Sequence, residues 1–288
     1  MFDLLLHIIF ASSFTLFIKW AQVRGSENVI IIGAINYIVA ALVILPVFLI
    51  SNPTPVSSGA LWSGGSMGGI YFIAFFFAIF SIQKVGASST TVVSVLSILL
   101  PIGFAAIYWS DQPNLIQSIG IALALFSLTL IGAHTNRASE EGQARPKWIV
   151  PTVLFVFFLL CGFSRMAQEA FKHVSQPEQR PAFILAAFSI AAIPSLCWLV
   201  YRRKIPMRME IVIGTLMGLA NIFQTHFILR ALEHLVGFIV FPVASAGSIV
   251  LTALVAIGLL GEQLNRRTYV GIVISVVALF LLYWVPGA

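Results

Sequence analysis

Polar positions recur along this chain at nearly regular intervals, and the stretches between them are apolar and close to a bilayer's thickness in helical length. A membrane span needs about 20 residues at a rise of roughly 1.5 Å each. Ten stretches meet that requirement, at approximately 3–21, 29–50, 65–83, 88–109, 115–133, 148–171, 182–201, 211–231, 236–260 and 268–285. The last two, between Phe238 and Trp284, are joined by a tight hydrophilic elbow, Gly261-Glu262-Gln263-Leu264-Asn265-Arg266-Arg267. An elbow that short predicts antiparallel neighbours. The runs are too long and too continuously apolar for barrel strands of roughly ten alternating residues. In hydrocarbon, a backbone that must satisfy its own hydrogen bonds is then helical. The expected fold class is an all-α membrane protein with ten transmembrane helices.

Composition agrees. Hydrophobic residues make up 59% of the chain and charged residues 9%, against about 25% charged in ordinary globular domains; the mean hydropathy is +1.01. The formal charge of +6 comes from basic residues standing singly or in short clusters near the ends of the expected spans. That is the placement of topology determinants and not of a nucleic-acid face. Cys161 and Cys197 both fall inside expected spans, where they read as small apolar residues without disulfide or metal spacing. The start of the chain does not read as a signal peptide. Asp3 stands in place of a basic region, and the apolar run continues to Lys19 without a clear cleavage site.

The longest connection, His134 to Lys147, is polar and central. It is expected to link two five-helix halves, residues 1–133 and 148–288. Three correspondences share an offset of 150 or 151 residues: Met67-Gly68 with Met217-Gly218, Asp111 with Glu262, and Ser118-Ile119-Gly120-Ile121 with Tyr269-Val270-Gly271-Ile272. Five is odd, so the second half is expected upside down relative to the first, and inverted repeats place a substrate path near the midplane. Lys19, Arg24, Lys84, Arg137, Arg145, Lys147, Arg202, Arg203, Lys204, Arg208, Arg266 and Arg267 group on one side, against Arg165, Lys172, Arg180 and Arg230 nearest the other. The positive-inside rule makes the first side cytoplasmic and both termini external.

The five-plus-five duplication, the acidic elbow Gly261-Glu262 and the following Gly271 resemble the drug/metabolite transporter superfamily in its ten-helix EamA-type branch. Nearly the whole chain is covered. There are departures: the first-half elbow acid is Asp111 where Glu is more common, and Asn36 stands near the place of a basic residue often found in the second helix. External termini also differ from the arrangement of many relatives. The resemblance implies a secondary carrier for small metabolites, often an exporter of amino acids or related compounds, that does not hydrolyse ATP. No GxxxxGK[ST] loop is present in the sequence.

Candidate binding residues are the polar ones inside the spans. Arg165, Gln168, Glu169 and Lys172 share a face at helical spacing. A charge at the centre of a span costs about 2.5 to 3.5 kcal/mol on insertion scales, so it persists only when paired or facing water. The face therefore either lines a cavity, with Arg165 taking a substrate anion or carboxylate, or sits at an interface with Arg165 and Glu169 paired. Asn221, Gln224 and Thr225 form a stripe that reads as cavity lining or as interhelical glue. Tyr71 aligns with Asn221 by the repeat offset, and Ser13, Asn36 and Tyr37 are further polar contacts. His7 and Lys19 interrupt the first span, Lys19 aligning with Glu169 or anchoring at the interface. Glu169 and His226 are the candidates for proton coupling, with His226, a lone histidine, read first as structural. Pro101 and Pro242 interrupt two spans as hinges or simple kinks.

The expected function is secondary transport of a small organic metabolite, an amino acid or related compound and in the export direction, across the cytoplasmic (inner) membrane by alternating access. The alternative is a flippase for lipids or their headgroups, or a non-enzymatic membrane partner. An intramembrane enzyme would need HExxH or paired aspartates at depth, and the sequence has neither. No cofactor or metal is expected. The expected partners are a small-molecule substrate, the lipid bilayer and, for coupling, protons, with the chain acting as a monomer or homodimer.

Overall fold

The computed structural model describes residues 1–23, 28–51, 55–85, 87–109, 113–132, 149–203, 205–260 and 266–283. Its α-helices are α1 (Phe2–Val23), α2 (Val29–Ser51), α3 (Ser58–Val85), α4 (Ala87–Leu96), α5 (Leu99–Tyr108), α6 (Leu115–Gly132), α7 (Ile149–Val174), α8 (Arg180–Tyr201), α9 (Arg208–His234), α10 (Gly237–Leu260) and α11 (Arg266–Tyr283). One 3-10 turn, Pro177–Gln179, leads into α8, and no strand occurs among the described residues. A helix meets every expected segment, and two meet the fourth. By length and composition α2, α3, α7, α8, α9 and α10 can each cross a membrane, whereas the apolar runs in α1, α4–α5, α6 and α11 are shorter. The central linker, Asp111, the elbow residues 261–265 with Glu262, and the side chain of Lys19 lie outside the described residues.

The chain divides into two compact units that do not follow its two halves. Unit 1 is Met1–Phe72 with Ala167–His234, and unit 2 is Ile73–Met166 with Leu235–Ala288. Each draws helices from both halves, and α3 and α7 each give part of their length to both units.

In unit 1 the contact pattern gives the helix directions. α1 runs antiparallel to α9: Asp3 pairs with Arg230, His7 meets Gln224, and Phe10 stacks on Phe223 and Phe227. Ile31, Ala34 and Ile35 near the start of α2 pack with Leu199 near the end of α8, so these two are also antiparallel. α3 instead runs parallel to α8, with Gly64 against Phe183 and Gly68 against Ala187. α9 runs parallel to α2, with Gly214 against Ile35 and Gly218 against Asn36 and Val39. A Cβ on Gly64 or Gly68 would strike the carbonyl oxygens of Phe183 or Ala187. One on Gly218 would lie 2.9 Å from the Asn36 carbonyl oxygen. Small residues let helix backbones approach where lipid tails remove the hydrophobic drive for association.

Polar side chains tie down the ends of unit 1. Arg180 at the start of α8 bonds Glu233 at 2.8 Å, and Arg230 bonds Asp3 at 3.1 Å. These residues lie at the end of the unit opposite Arg202, Arg203 and Arg208, which stand where α8 finishes and α9 begins. The Gln179 side chain accepts from Ser57 N at 3.1 Å and donates to the Pro55 carbonyl at 3.1 Å, fixing the approach to α3. Glu210, fully buried in the first turn of α9, accepts from Met207 N at 2.8 Å, half of a capping box.

Unit 2 is built on α6 and α11. They pack antiparallel, Gly120 against Leu281 and Leu282, and Ser275 Oγ donates to Ser127 Oγ at 2.8 Å. α6 opens with a complete capping box: Asn114 N donates to Gln117 Oε1 at 3.0 Å, and Gln117 N to Asn114 Oδ1 at 2.9 Å. The two candidate hinge prolines behave differently. α10 continues through Pro242, whereas Ser97 and Ile98, just before Pro101, separate α4 from α5.

Candidate functional site

The amide, hydroxyl and imidazole groups that interrupt the apolar helices of unit 1 converge on α2 at Asn36 and Tyr37. On one side Asn221 Nδ2 donates to Asn36 Oδ1 at 3.2 Å, and Gln224 Nε2 donates to Asn221 Oδ1 at 2.7 Å. His7 Nδ1 then meets the Gln224 carbonyl oxygen at 2.7 Å, which assigns the hydrogen to Nδ1. On the other side the Tyr37 hydroxyl donates to the Tyr71 carbonyl at 3.3 Å, and Gln168 Nε2 donates to the Tyr71 hydroxyl at 3.3 Å. Five helices, α1, α2, α3, α7 and α9, therefore contribute to two polar strings that meet at the neighbouring residues Asn36 and Tyr37 of α2.

Helical spacing explains the placement. Asn221 and Thr225, four apart, are both buried on the inward face of α9, and Gln224, one turn from Asn221, is half-buried beside them. Tyr71 and Asn221 each lie near the middle of long helices, about 20 Å from the helix start at 1.5 Å per residue. The amide and hydroxyl groups of the cluster carry no formal charge, and together they offer both donors and acceptors. Such a surface suits a polar or zwitterionic solute whose own charges are paired or solvated.

The remaining candidates fall as follows. Asn36, Gln168 and Glu169 are buried, and so is Thr225, whose Oγ1 makes no hydrogen bond among the described residues. Ser13 is half-buried and donates back to the Ile9 carbonyl at 2.8 Å within α1. His226 is half-buried and packs edge-on against Phe227, with ring centroids 5.3 Å apart.

Arg165 belongs to unit 2. Its guanidinium donates to the Ser94 carbonyl at 3.1 Å, to Ser97 Oγ, and to the Cys161 carbonyl at 3.4 Å. Those protein oxygens already engage one of its nitrogens.

Sequence reasoning left three features unread. Gly64 and Gly214 stand four residues before the matched Gly68 and Gly218, so G-x-x-M-G occurs twice at an offset of 150 residues, and that spacing was a usable signal. His7 and Tyr37 were visible as interruptions, but nothing in the sequence joined them to Gln224 and Tyr71. The engagement of Arg165 with Ser94 and Ser97 spans about 70 residues and leaves no local pattern.

The fold and its buried polar cluster define a polytopic helical integral membrane protein. Residues 1–133 match the model of the EamA-like transporter family, which is part of the drug/metabolite transporter superfamily. An uncharacterized protein of Haemophilus influenzae (strain Rd) is 24% identical over 192 residues, covering 66% of this chain and 64% of that protein, just under two thirds of its length. A solved crystal structure of a protein superposes with a TM-score of 0.75 over 98% of this chain and 95% of that one. At 15% identity, that likeness shows the fold alone.

Proposed function

We propose that this protein is a secondary transporter that moves a small organic metabolite, an amino acid or related compound, out of the cell across the cytoplasmic membrane. The family matched by its first half is one of transporters, and the buried five-helix polar cluster of unit 1 is the observation that carries the reading. Burying this many amide and hydroxyl groups in lipid adds little as glue, about 0.6 kcal/mol for an average interhelical bond. A binding surface accounts for the concentration of such groups near the middle of α3 and α9. Tyr71, Gln168, Asn36, Asn221 and Gln224 are the proposed solute contacts. Thr225 and Ser13 flank them, and Glu169 or His226 is the proposed carrier of a coupled proton.

The proposed architecture is ten spans in two inverted halves exchanging access by rocking. The glycine packing in unit 1 supports inversion. α3 lies parallel on α8 through Gly64 and Gly68, and α9 lies parallel on α2 through Gly214 and Gly218, the same motif 150 residues on, while α2 and α8 run oppositely. Cytoplasmic placement of the end carrying Arg202, Arg203 and Arg208, with external termini, follows from the positive-inside rule.

The test is flux in liposomes containing the purified protein, against a panel of amino acids and related metabolites, with and without a pH gradient. Saturable solute movement lost in Asn221→Leu supports the reading. Lipid scrambling without movement of any solute would replace the carrier by a flippase.

A further inference from the structure

The structure assigns Arg165 a task that does not depend on which solute moves: we propose that its guanidinium is a latch closing the break between α4 and α5, and that releasing it frees α5 to swing.

The break lies where a backbone donor is missing. Pro101 has no N–H and cannot donate to the Ser97 carbonyl, and its ring crowds that carbonyl. The chain tightens to three-residue closures instead, Leu100 N donating to Ser97 O at 3.1 Å and Ile98 N to Val95 O at 3.0 Å. Because Ile98 N has gone to Val95, the Ser94 carbonyl loses its helical donor. Ser94 is half-buried beside the fully buried Ser97 and Ile98, so leaving its carbonyl unmet would cost up to what a lost hydrogen bond costs. Ser97 Oγ supplies one donor to Ser94 O at 2.6 Å, and Arg165 supplies the other at 3.1 Å while also bonding Ser97 Oγ. A charged donor makes a stronger hydrogen bond than a neutral one. Leu100 N thus stands in for the donor the proline lacks at Ser97 O, and Arg165 meets the Ser94 carbonyl that the tightened turn leaves without its helical donor.

A second, independent contact holds the same two segments together. Gly162, three residues before Arg165, faces Leu100 so closely that a Cβ would lie 2.8 Å from Leu100 Cβ and would collide with Leu100 Cδ1. The Cys161–Arg165 turn of α7 therefore fits against the Ser94–Leu100 break sterically through a glycine and electrostatically through an arginine. Ile98, at the break, keeps right-handed helical angles (φ −60°, ψ −26°). The latched form thus keeps a helical backbone at Ile98 beside one tight turn.

Hydrogen–deuterium exchange on the full chain in lipid nanodiscs, without solute, tests this separately from transport. Arg165→Ala is expected to speed exchange of peptides covering residues 94–102 at least tenfold, with Ser97→Ala giving a smaller two- to fivefold rise and Arg165→Lys lying between wild type and Arg165→Ala. Adding Pro101→Ala to Arg165→Ala gives Ser97 O an i+4 donor, which lets the tight turn relax so that Ile98 N returns to Ser94 O, and should return protection to the wild-type level. Should Arg165→Ala alone fail to fold, recovery of folded protein in the Pro101→Ala double variant supports the latch in its place. Exchange within twofold of wild type in both Arg165→Ala and Ser97→Ala would overturn the proposal, as would a folded double variant no better protected than Arg165→Ala.

Discussion

Asn221 in α9 donates a hydrogen bond of 3.2 Å to Asn36 in α2, and both side chains are buried. Gln224 extends this pair with its side-chain amide, and His7 in α1 bonds the Gln224 main-chain carbonyl, so a third helix is tied to the same turn of α9. Leaving one member unpaired in a buried setting costs about 1–3 kcal/mol. Removing both partners together costs less. Asn221→Leu and Asn36→Leu are each expected to destabilise the protein by about 1–2 kcal/mol, and the double variant by less than their sum. Unfolding titrations in mixed micelles measure the coupling, and simple additivity would contradict the bond.

The hydroxyl of Tyr71 accepts from Gln168 while its main-chain carbonyl accepts from Tyr37. Tyr71→Phe removes only the hydroxyl. Under the proposed function it should raise the apparent KM for solute several-fold and lower the thermal midpoint by about 2–4 °C, the shift expected for about 1 kcal/mol when the buried Gln168 amide loses this bond. A lower maximal rate at unchanged KM would argue against direct contact with solute.

Adjacent glycines in α3 give an internal control. Gly68 faces the Ala187 backbone, but nothing lies within 4 Å of the site a Cβ would take on Gly69. Gly68→Ala should cost about 1–3 kcal/mol or more from overpacking, whereas Gly69→Ala should be neutral or stabilising by up to about 1 kcal/mol through helix propensity. Thermal stability followed by size-exclusion chromatography separates the two. Equal behaviour would mean that α3 does not lie on α8 as described.

The ion pairs at the end of unit 1 are partly exposed, with the Arg230 side chain at 42%. Such pairs contribute roughly 0–1 kcal/mol and are screened by salt. Asp3→Asn and Glu233→Gln should each lower stability by no more than about 1 kcal/mol, with the difference fading in high salt. A melting series at two ionic strengths is sufficient to show this.

Most of the fold was legible because hydrophobic length is a strong signal in a chain with so few charges. The boundaries of α2 and α8 fall within two residues of those expected at each end, since charged or turn-forming residues bracket them. The α4–α5 division was only partly legible. Pro101 marked the place, but an identical signal at Pro242 left α10 unbroken, and tertiary partners decide which proline interrupts its helix. The polar residues of the site could be named one at a time, since each is costly in an apolar run. Their pairing could not be. Asn36 and Asn221 lie 185 residues apart, and only the three-dimensional packing of α2 on α9 brings them together. Nor could the sequence divide Arg165 from Gln168: they share one helical face but fall in different compact units.

The central claim is that the buried amide and hydroxyl groups of unit 1 form a solute-binding surface and are not merely glue between helices. Counterflow in proteoliposomes tests it most directly: vesicles loaded with one unlabelled metabolite at a time are diluted into trace labelled solute, for wild type, Asn221→Leu and Gly69→Ala. The account predicts transient accumulation of at least one small organic solute by wild type and Gly69→Ala, and its loss in Asn221→Leu protein that still elutes as a folded species. Undiminished counterflow in folded Asn221→Leu, or none in wild type for any solute, would contradict it.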